Sequence, residues 1–325
     1  MLKGQIRRLV FLARRLKLWI SGRGSLSASG DFWALQLKGN NDFVYWLALP
    51  TVVQWVNLRL TGSAQIWPLS WFLFSIQDKL PVERAVSIGC GVGNLERETA
   101  RHQGARHIDG IDVSKPALLH ARQAALQAGY SDTISYHLED AAAWLRNAVK
   151  SPGYDLIFFH CSLHHIERLE EVLSLCARCL RGGAPGLLYV DEYIGPSRRE
   201  WQADHLGHAN AIFGRIPPQY KRASKVFPPV ALDDPTEMIR SSEIEGVLRN
   251  HFEVIHYKPY YGNVVMPLVS AIKGTGLQDP AVLKILSEAM DLEDYLIDRG
   301  LLDPLYAVFV CRPLSGSQTM VNVDA

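Results

Sequence analysis

What this 325-residue sequence lacks excludes several classes of protein. A net charge of +1 gives no concentrated basic surface, so we expect no nucleic-acid partner. Cys176 and Cys179 form a CxxC pair, but no second pair accompanies them. A zinc or redox role is therefore disfavoured, and we expect both thiols to pack inside a helix as small hydrophobic groups.

Acidic residues are absent before Asp31, whereas residues 1–20 carry six basic side chains opposite an apolar helical face. This segment is too charged to span a bilayer and lacks a signal-peptide cleavage pattern. Three interpretations remain open: a helix on an anionic membrane surface, a helix packed on the main domain, and an organellar targeting peptide. Five cysteines without a signal peptide indicate a reducing compartment. We therefore expect a cytoplasmic protein, membrane-associated at its amino terminus under the first interpretation.

From residue 85 onward, strand-like and helix-like stretches alternate, which is typical of βαβ units with a parallel sheet. The pattern predicts seven strands at 85–89, 107–113, 134–138, 155–161, 186–193, 252–261 and 305–313. It predicts helices at 94–103, 115–128, 140–149, 167–181 and 279–300. The expected fold is α/β: a Rossmann-like, seven-stranded, mostly parallel sheet with helices on both faces.

The composition along the chain predicts a division into segments. These are a basic helix (1–20), a Gly/Ser-rich linker (21–31), a helical lid (32–82), a cofactor-binding core (83–193), an inserted substrate region (194–250), strands and a helix completing the core (251–314), and a loose tail (315–325). Four tryptophans of the lid region are candidates either to cover the cofactor or to fill the core, and core packing is preferred: Trp46, Trp55, Trp67 and Trp71.

Three polar features follow successive predicted strands. A glycine-rich loop, residues 89–93, follows the first strand, Asp112 ends the second, and the pair Glu139–Asp140 follows the third. Glycine lets a ligand approach the backbone, and a carboxylate at the second strand can bind ribose hydroxyls. The sequence therefore predicts a nucleoside site. Asn94 stands where the dinucleotide fingerprint has its third glycine, which disfavours a nicotinamide cofactor.

These motifs resemble those of the class I S-adenosylmethionine-dependent methyltransferases. The resemblance rests on "VSIGCGVG", "GIDVS", the acidic pair and "LRGGAPGLLYVDEY" in this order. A narrower resemblance, carried by "YWLALPTVVQWVN", "VDEYIGPSRREW" and "DDPTEMIRSSEI", points to a bacterial branch that acts on small molecules. It implies S-adenosyl-L-methionine as the cofactor and methyl transfer to a small-molecule acceptor.

The resemblance implies a role for each matching position. Asp112 would hold the ribose, Asp140 with Ala141 would meet the adenine, and His160 with Cys161 would border the methyl group. The full set of implied cofactor contacts is Ser87, Gly89, Cys90, Gly91, Gly93, Asp112, Val113, Glu139, Asp140, Ala141, His160 and Cys161.

One position departs from the family pattern. The first strand of the family carries an acidic residue two positions before the first glycine, where it contacts the amino end of the cofactor. Ser87 occupies that position here, and Glu96 is a candidate to compensate. A non-catalytic protein that uses the fold to bind a partner is therefore one alternative. The second, less favoured alternative is a nicotinamide-dependent oxidoreductase.

Candidates for chemistry lie after the fourth and fifth strands. His160, His164 and His165 are the catalytic candidates, since histidine accepts protons near neutral pH and a hydroxyl acceptor loses a proton on methylation. Their alternatives are core packing for His160 and helix capping for the other two. We expect no metal site. A metal ion bound by these histidines would require a carboxylate in range, and Asp191 or Glu192 is the obvious candidate.

Three further residues are candidates for the substrate: Glu192, Tyr193 and Arg240. Arg240 would contact an acid or phosphate. Its preferred interpretation is structural, as the ion-pair partner of Glu192, Glu237 or Glu243. The expected acceptor is a hydroxyl on a sugar, a lipid-linked intermediate or a secondary-metabolite intermediate.

Overall fold

The computed structural model describes residues 44–150, 153–181, 185–230 and 234–314. The predictions for residues 1–20, 21–31 and 315–325 lie outside these ranges. Within the described chain, no helix is both long enough and apolar enough to cross a membrane.

Seven strands form one sheet, as the sequence pattern predicts. They are β1 (Val82–Ile88), β2 (Ala105–Asp112), β3 (Ile134–Leu138), β4 (Leu156–His160), β5 (Leu187–Tyr193), β6 (Phe252–Tyr260) and β7 (Tyr306–Pro313). Their spatial order is β3-β2-β1-β4-β5-β7-β6. The first five strands are parallel, and β7 pairs antiparallel with both β5 and β6. The α/β fold with a mostly parallel sheet is confirmed.

Ten α-helices are described. They are α1 (Pro50–Thr61), α2 (Pro68–Ser75), α3 (Asn94–Arg101), α4 (Lys115–Gln127), α5 (Ala141–Ala148), α6 (Leu169–Cys179), α7 (Gly207–Phe213), α8 (Ile244–His251), α9 (Val265–Ser270) and α10 (Pro280–Asp298). Side-chain caps begin three of them: Ser114 at α4, Asp140 at α5 and Asp279 at α10. Such caps satisfy amides that the first helical turn leaves unpaired.

Both faces of the sheet are covered, because successive side chains of a strand point to opposite faces. In β4, Phe158 packs in the cluster that includes α1, α2, α4, α9 and α10, whereas Ile157 and Phe159 pack in the cluster with α5, α6 and α8. This double burial explains why β4 and β5 are continuously apolar up to their carboxyl ends. Cys176 and Cys179 are buried in α6, as expected.

Candidate active site

A cleft of about 910 Å³ opens at the carboxyl ends of β1, β2 and β4. The sheet order places β1 between β2 and β4, so the winding reverses at this point. Open parallel sheets bind ligands at such reversals. The volume lies within the range of small-molecule and cofactor sites.

The glycine loop forms the floor of the cleft. Gly89 has a φ of +71°, and an added Cβ would overlap the side chain of Ser162. The Ser162 hydroxyl in turn donates to the Ile88 carbonyl at 2.7 Å, which joins the loop to the end of β4. An added Cβ at Gly91, with a φ of +54°, would meet nothing within 4 Å. The backbone at Gly91 is therefore open to the cleft.

Asp112 holds the glycine loop against the end of β2. Its Oδ2 accepts the Gly91 amide at 2.8 Å and its Oδ1 accepts the Ser114 amide at 2.7 Å. Burial raises the pKa of Asp112, and these two amides oppose that rise. Each carboxylate oxygen has a further lone pair for another donor. Asp112 and Val113 both line the cleft.

The third strand brings Glu139, Asp140 and Ala141 to the cleft wall. Asp140 caps α5, since its Oδ1 accepts the Ala143 amide at 2.9 Å. Arg168 Nη2 lies 3.8 Å from the same carboxylate oxygen. The capping bond fixes the orientation of the Asp140 side chain at this edge.

Ser87 and Glu96 lie side by side in the cleft lining. Glu96 is fully buried, and neither of its carboxylate oxygens has a hydrogen-bond partner among the described residues. Burial raises the pKa of Glu96 to about 7, and the Ser87 hydroxyl partly opposes the rise. A buried carboxylate without partners is unfavourable, so this site is suited to a cationic or donor group of a ligand.

The opposite side of the cleft holds a group that we name the His–Glu cluster: His164, His165 and Glu237. His164 Nε2 lies 3.8 Å from Glu237 Oε1, and His165 Nε2 lies 4.0 Å from Glu237 Oε2. The centroids of the two imidazole rings are 4.1 Å apart. The histidines lie on a 3₁₀ turn after β4, and Glu237 comes from the inserted region.

Buried carboxylates dominate the electrostatics of this cluster. Burial lowers the pKa of His164, but Glu192 and Glu237 outweigh that effect and raise it to about 9. Burial and the neighbouring His164 lower the pKa of His165 to about 3. Burial raises the pKa of Glu237 to about 6, although His164 opposes the rise.

His160 lies at the end of β4 between the two sides of the cleft. Its Nε2 is 3.8 Å from Asp191 Oδ2, and its ring meets the edge of Trp67 at 5.7 Å. Asp191 also accepts the Tyr260 hydroxyl at 2.7 Å. Cys161, the next residue, lines the cleft as well.

Comparison with known proteins identifies the part of the chain that carries this geometry. Residues 86–185 match the family model of a methyltransferase domain, which spans β1 to β4 with the glycine loop and both histidines of the cluster. Residues 86–185 are therefore a methyltransferase domain, of the S-adenosylmethionine-dependent kind that the motifs resemble. S-adenosylmethionine is the cofactor of such domains.

The relatives that match this chain are distant. A ubiquinone biosynthesis O-methyltransferase of Hahella chejuensis is 31% identical over 121 residues, which are 37% of this chain and 48% of that protein. A polyamine aminopropyltransferase of Prochlorococcus marinus is 27% identical over 148 residues, 43% of this chain and 50% of that one. The solved YcgJ protein of Bacillus subtilis has 13% identity and a TM-score of 0.44, covering 76% and 98% of the two chains. The chain spans about half the length of the curated relatives it matches.

Most of the sequence-predicted site residues meet in the cleft, but three do not line it. Gly93 has a φ of +79° and packs against Tyr136, where an added Cβ would overlap the phenol. Gly93 therefore shapes the start of α3, because glycine alone adopts this backbone without strain in so little space. Gly93 does not line the cleft, and its contact with the cofactor stays a prediction.

Glu192 and Arg240, which the sequence predicts as substrate contacts, do not line the cleft. Glu192 is fully buried and accepts the amides of Ser162, Leu163 and Tyr193 together with His164 Nδ1. These four donors saturate its carboxylate, so it fixes the 3₁₀ turn and is not available to a substrate. Tyr193 does line the cleft, and its hydroxyl donates to the Pro196 carbonyl at 3.0 Å.

Arg240 lies outside the cleft, where two carboxylates hold it. Its Nη2 is 2.6 Å from Glu170 and 2.6 Å from Glu243. Among the ion-pair partners that the sequence analysis offered for Arg240, Glu243 is confirmed, whereas Glu170 was not predicted. The guanidinium joins α6 to the turn before α8, and both forks of its planar group are occupied.

Sequence reasoning missed Glu237 as a site residue, and of an aromatic surface that lines the cleft it named only Trp46 and Trp67, as candidates to cover the cofactor. We name this surface the aromatic wall, and its residues are Tyr45, Trp46, Trp67, Tyr260 and Tyr306. Trp46 is at once a core residue, 1% exposed, and part of this wall. Trp55 and Trp71 instead contact Tyr261 and His256, away from the lining. The quoted segment "DDPTEMIR" contained Glu237, but no spacing rule links it to histidines 72 and 73 residues earlier.

Proposed function

We propose that this chain transfers the methyl group of S-adenosylmethionine to a hydroxyl group of a small-molecule acceptor. One observation carries the proposal: the unpartnered Glu96 carboxylate and the His–Glu cluster line the same cleft. The first suits a cofactor with a cationic end, and the second suits a polar acceptor. A single cleft with both features can bring donor and acceptor together.

The residues on the cofactor side fit S-adenosylmethionine. Asp112 has acceptor capacity left for the two ribose hydroxyls. Glu96 offers an unpaired carboxylate to the ammonium of the methionine part. It would take the role of the family's acidic residue, whose position Ser87 occupies in this chain. Gly91 leaves room above the backbone, and Asp140 with Ala141 lies where the adenine would end.

When bound, S-adenosylmethionine supplies an electrophilic methyl group on a sulfonium. The residues of this chain then bind, orient and shield. The aromatic wall excludes water from the cleft, and its rings suit the face of a sugar or an apolar chain. The His–Glu cluster holds the acceptor hydroxyl in line with the methyl group, and His160 is the candidate base for the proton that this hydroxyl loses. These features support a sugar, lipid-linked or secondary-metabolite intermediate as the acceptor class.

The test is calorimetric titration of the purified chain with S-adenosylhomocysteine. We expect micromolar binding that the variant Asp112→Ala loses, because the ribose hydroxyls lose their acceptor and the glycine loop loses its anchor. Asp132→Ala is the matched control, since Asp132 is exposed and lies outside the cleft lining. It should bind as the parent chain does.

Two results would contradict the proposal. Absence of binding to the intact, folded chain would favour the non-catalytic alternative, in which the fold binds a partner. Equal binding by the parent chain and Asp112→Ala would show that the ligand sits elsewhere. If binding is confirmed, hydroxylated acceptors are screened for transfer of a labelled methyl group.

A further inference from the structure

The His–Glu cluster brings three metal-type ligands together from two distant parts of the chain. One ligand atom from each of His164, His165 and Glu237 lies within 4.8 Å of the other two. Around a tetrahedral zinc ion with bonds of about 2.1 Å, ligand atoms lie roughly 3.4 Å apart. The imidazole nitrogens lie 3.8 Å from Glu237 Oε1 and 4.0 Å from Glu237 Oε2. Since one ligand atom from each residue lies within 4.8 Å of the other two, binding requires each separation to shorten by at most about 1.4 Å.

The outer hydrogen bonds of both histidines direct their Nε2 atoms toward Glu237. His164 Nδ1 lies 2.5 Å from Glu192, an acceptor, so Nδ1 carries the hydrogen. His165 Nδ1 lies 3.0 Å from the Thr236 hydroxyl, which itself donates to Asp234 at 2.7 Å. Thr236 therefore accepts from His165, and Nδ1 again carries the hydrogen. Metal-binding histidines show this arrangement, in which an outer partner fixes the tautomer.

The charge around the cluster also suits a cation. Three buried carboxylates surround the imidazoles: Glu192 and Asp234 are 0% exposed and Glu237 is 7% exposed. Buried carboxylates are stabilised by pairing or by metal coordination. Two imidazoles and one carboxylate are ligands that zinc and related first-row divalent ions accept.

We propose that His164, His165 and Glu237 bind one divalent transition-metal ion, with zinc as the reference ion and an open position toward the cleft. Binding of the ion does not depend on the proposed function, whereas its role does. At the open position the ion would hold the acceptor hydroxyl beside the methyl group and lower the pKa of that hydroxyl. This assignment replaces the expectation of no metal, which considered only Asp191 and Glu192 as the carboxylate.

The experiment measures metal binding without cofactor or acceptor. The full chain, stripped with a chelator, is titrated with zinc chloride by calorimetry and with cobalt(II) by visible absorption. We expect one ion per chain and the d–d bands of a nitrogen- and oxygen-coordinated cobalt. Glu237→Gln should weaken binding about 100-fold or more, and His208→Gln, at an exposed histidine of α7, should leave it unchanged.

A second variant guards against misfolding. Thr236→Val keeps all three ligands but removes the hydroxyl that accepts from His165 Nδ1, and should weaken zinc binding about 10-fold with the fold intact by circular dichroism. The proposal is overturned if the folded parent chain binds no zinc or cobalt, or if Glu237→Gln binds zinc as tightly as the parent.

Titration of the same variants with S-adenosylhomocysteine separates this proposal from the proposed function. We expect Glu237→Gln to lose zinc and keep S-adenosylhomocysteine, and Asp112→Ala to do the reverse. A parent chain that binds S-adenosylhomocysteine but no zinc would overturn the metal site alone. A chain that binds zinc but no S-adenosylhomocysteine would overturn the cofactor proposal alone.

Discussion

At the scale of single residues, Glu96 couples the stability of the chain to pH. Burial raises the pKa of Glu96 from 4.5 to about 7, so the folded chain favours the protonated carboxyl. The stability that this group contributes is present below pH 4.5 and is lost as pH rises through 7. We expect Glu96→Gln, which stays neutral, to be more stable than the parent at pH 8 by up to about 3 kcal/mol.

Urea unfolding at pH 5 and pH 8 measures this difference. The gain should shrink at pH 5, where the parent carboxyl is already protonated. Glu96→Gln should also bind S-adenosylhomocysteine about 10-fold more weakly, since the amide offers no charge to the ammonium. Glu167→Gln, at an exposed position outside the cleft lining, is the control and should change neither property. A pH-independent gain would show that Glu96 is not the titrating group.

Gly89 combines a left-handed backbone with a close approach to a neighbour. Gly89→Ala adds strain of roughly 1–2 kcal/mol from the positive φ and a further loss from overlap with Ser162. Gly129→Ala is a matched control, because its φ of +77° is similar but an added Cβ meets nothing within 4 Å. We expect only Gly89→Ala to weaken S-adenosylhomocysteine binding, and thermal unfolding to show the larger loss for it. Equal losses would mean that Ser162 moves aside.

At the scale of elements, one side chain of α10 determines where α9 begins. Glu293 is fully buried, with Oε1 accepting the amides of Gly262 and Asn263 and Oε2 accepting those of Val264 and Val265. In Glu293→Gln, an NH₂ group replaces one of the two carboxylate oxygens. It cannot accept from the two backbone amides that this oxygen binds. We expect a loss of about 3 kcal/mol in the free energy of unfolding, because buried amides are left unpaired.

Asp291→Asn is the control for this prediction, since Asp291 is exposed on the same helix. Surface substitutions of this kind change stability by about 0.5 kcal/mol or less. Denaturant unfolding of both variants measures the two effects. A loss for Glu293→Gln no larger than that for Asp291→Asn would show that the carboxylate is dispensable.

At the scale of the whole molecule, the cleft is closed by segments that are far apart in the chain. Trp46 and Trp67 line it from the amino-terminal helical region, facing Met266 and Tyr306 from the carboxyl-terminal part. We expect S-adenosylhomocysteine to change the tryptophan emission of the parent chain. Trp67→Phe should remove most of that change, because Trp67 lies beside His160 at the centre of the cleft.

Trp144→Phe provides the comparison, since Trp144 lies on α5 outside the lining and donates its indole N–H to Tyr154. It should leave the emission change intact. If both variants behave as the parent does, the amino-terminal region does not contact the cofactor. The test measures the tryptophan fluorescence of the parent chain, Trp67→Phe and Trp144→Phe over the same series of S-adenosylhomocysteine concentrations.

Local patterns made the fold and the cofactor side predictable. All seven strands appear within a few residues of their predicted bounds, because short runs rich in apolar residues alternate with helix-like stretches along the chain. The glycine loop and Asp112 were found since both follow strands directly, and parallel strands bring their carboxyl ends to one edge. The predicted division into a lid, a core and an inserted region stays a prediction.

The sequence by itself therefore determined the order of strands and helices and the resemblance to a methyltransferase domain, because those properties depend on neighbours within about 30 residues of chain. Only the tertiary structure decided that Glu96 is buried without partners, that Glu192 is saturated by four donors, and that Glu237 faces two histidines. Such contacts join residues 28 to 73 positions apart and follow no periodic spacing. They form only when the crossovers between strands have folded.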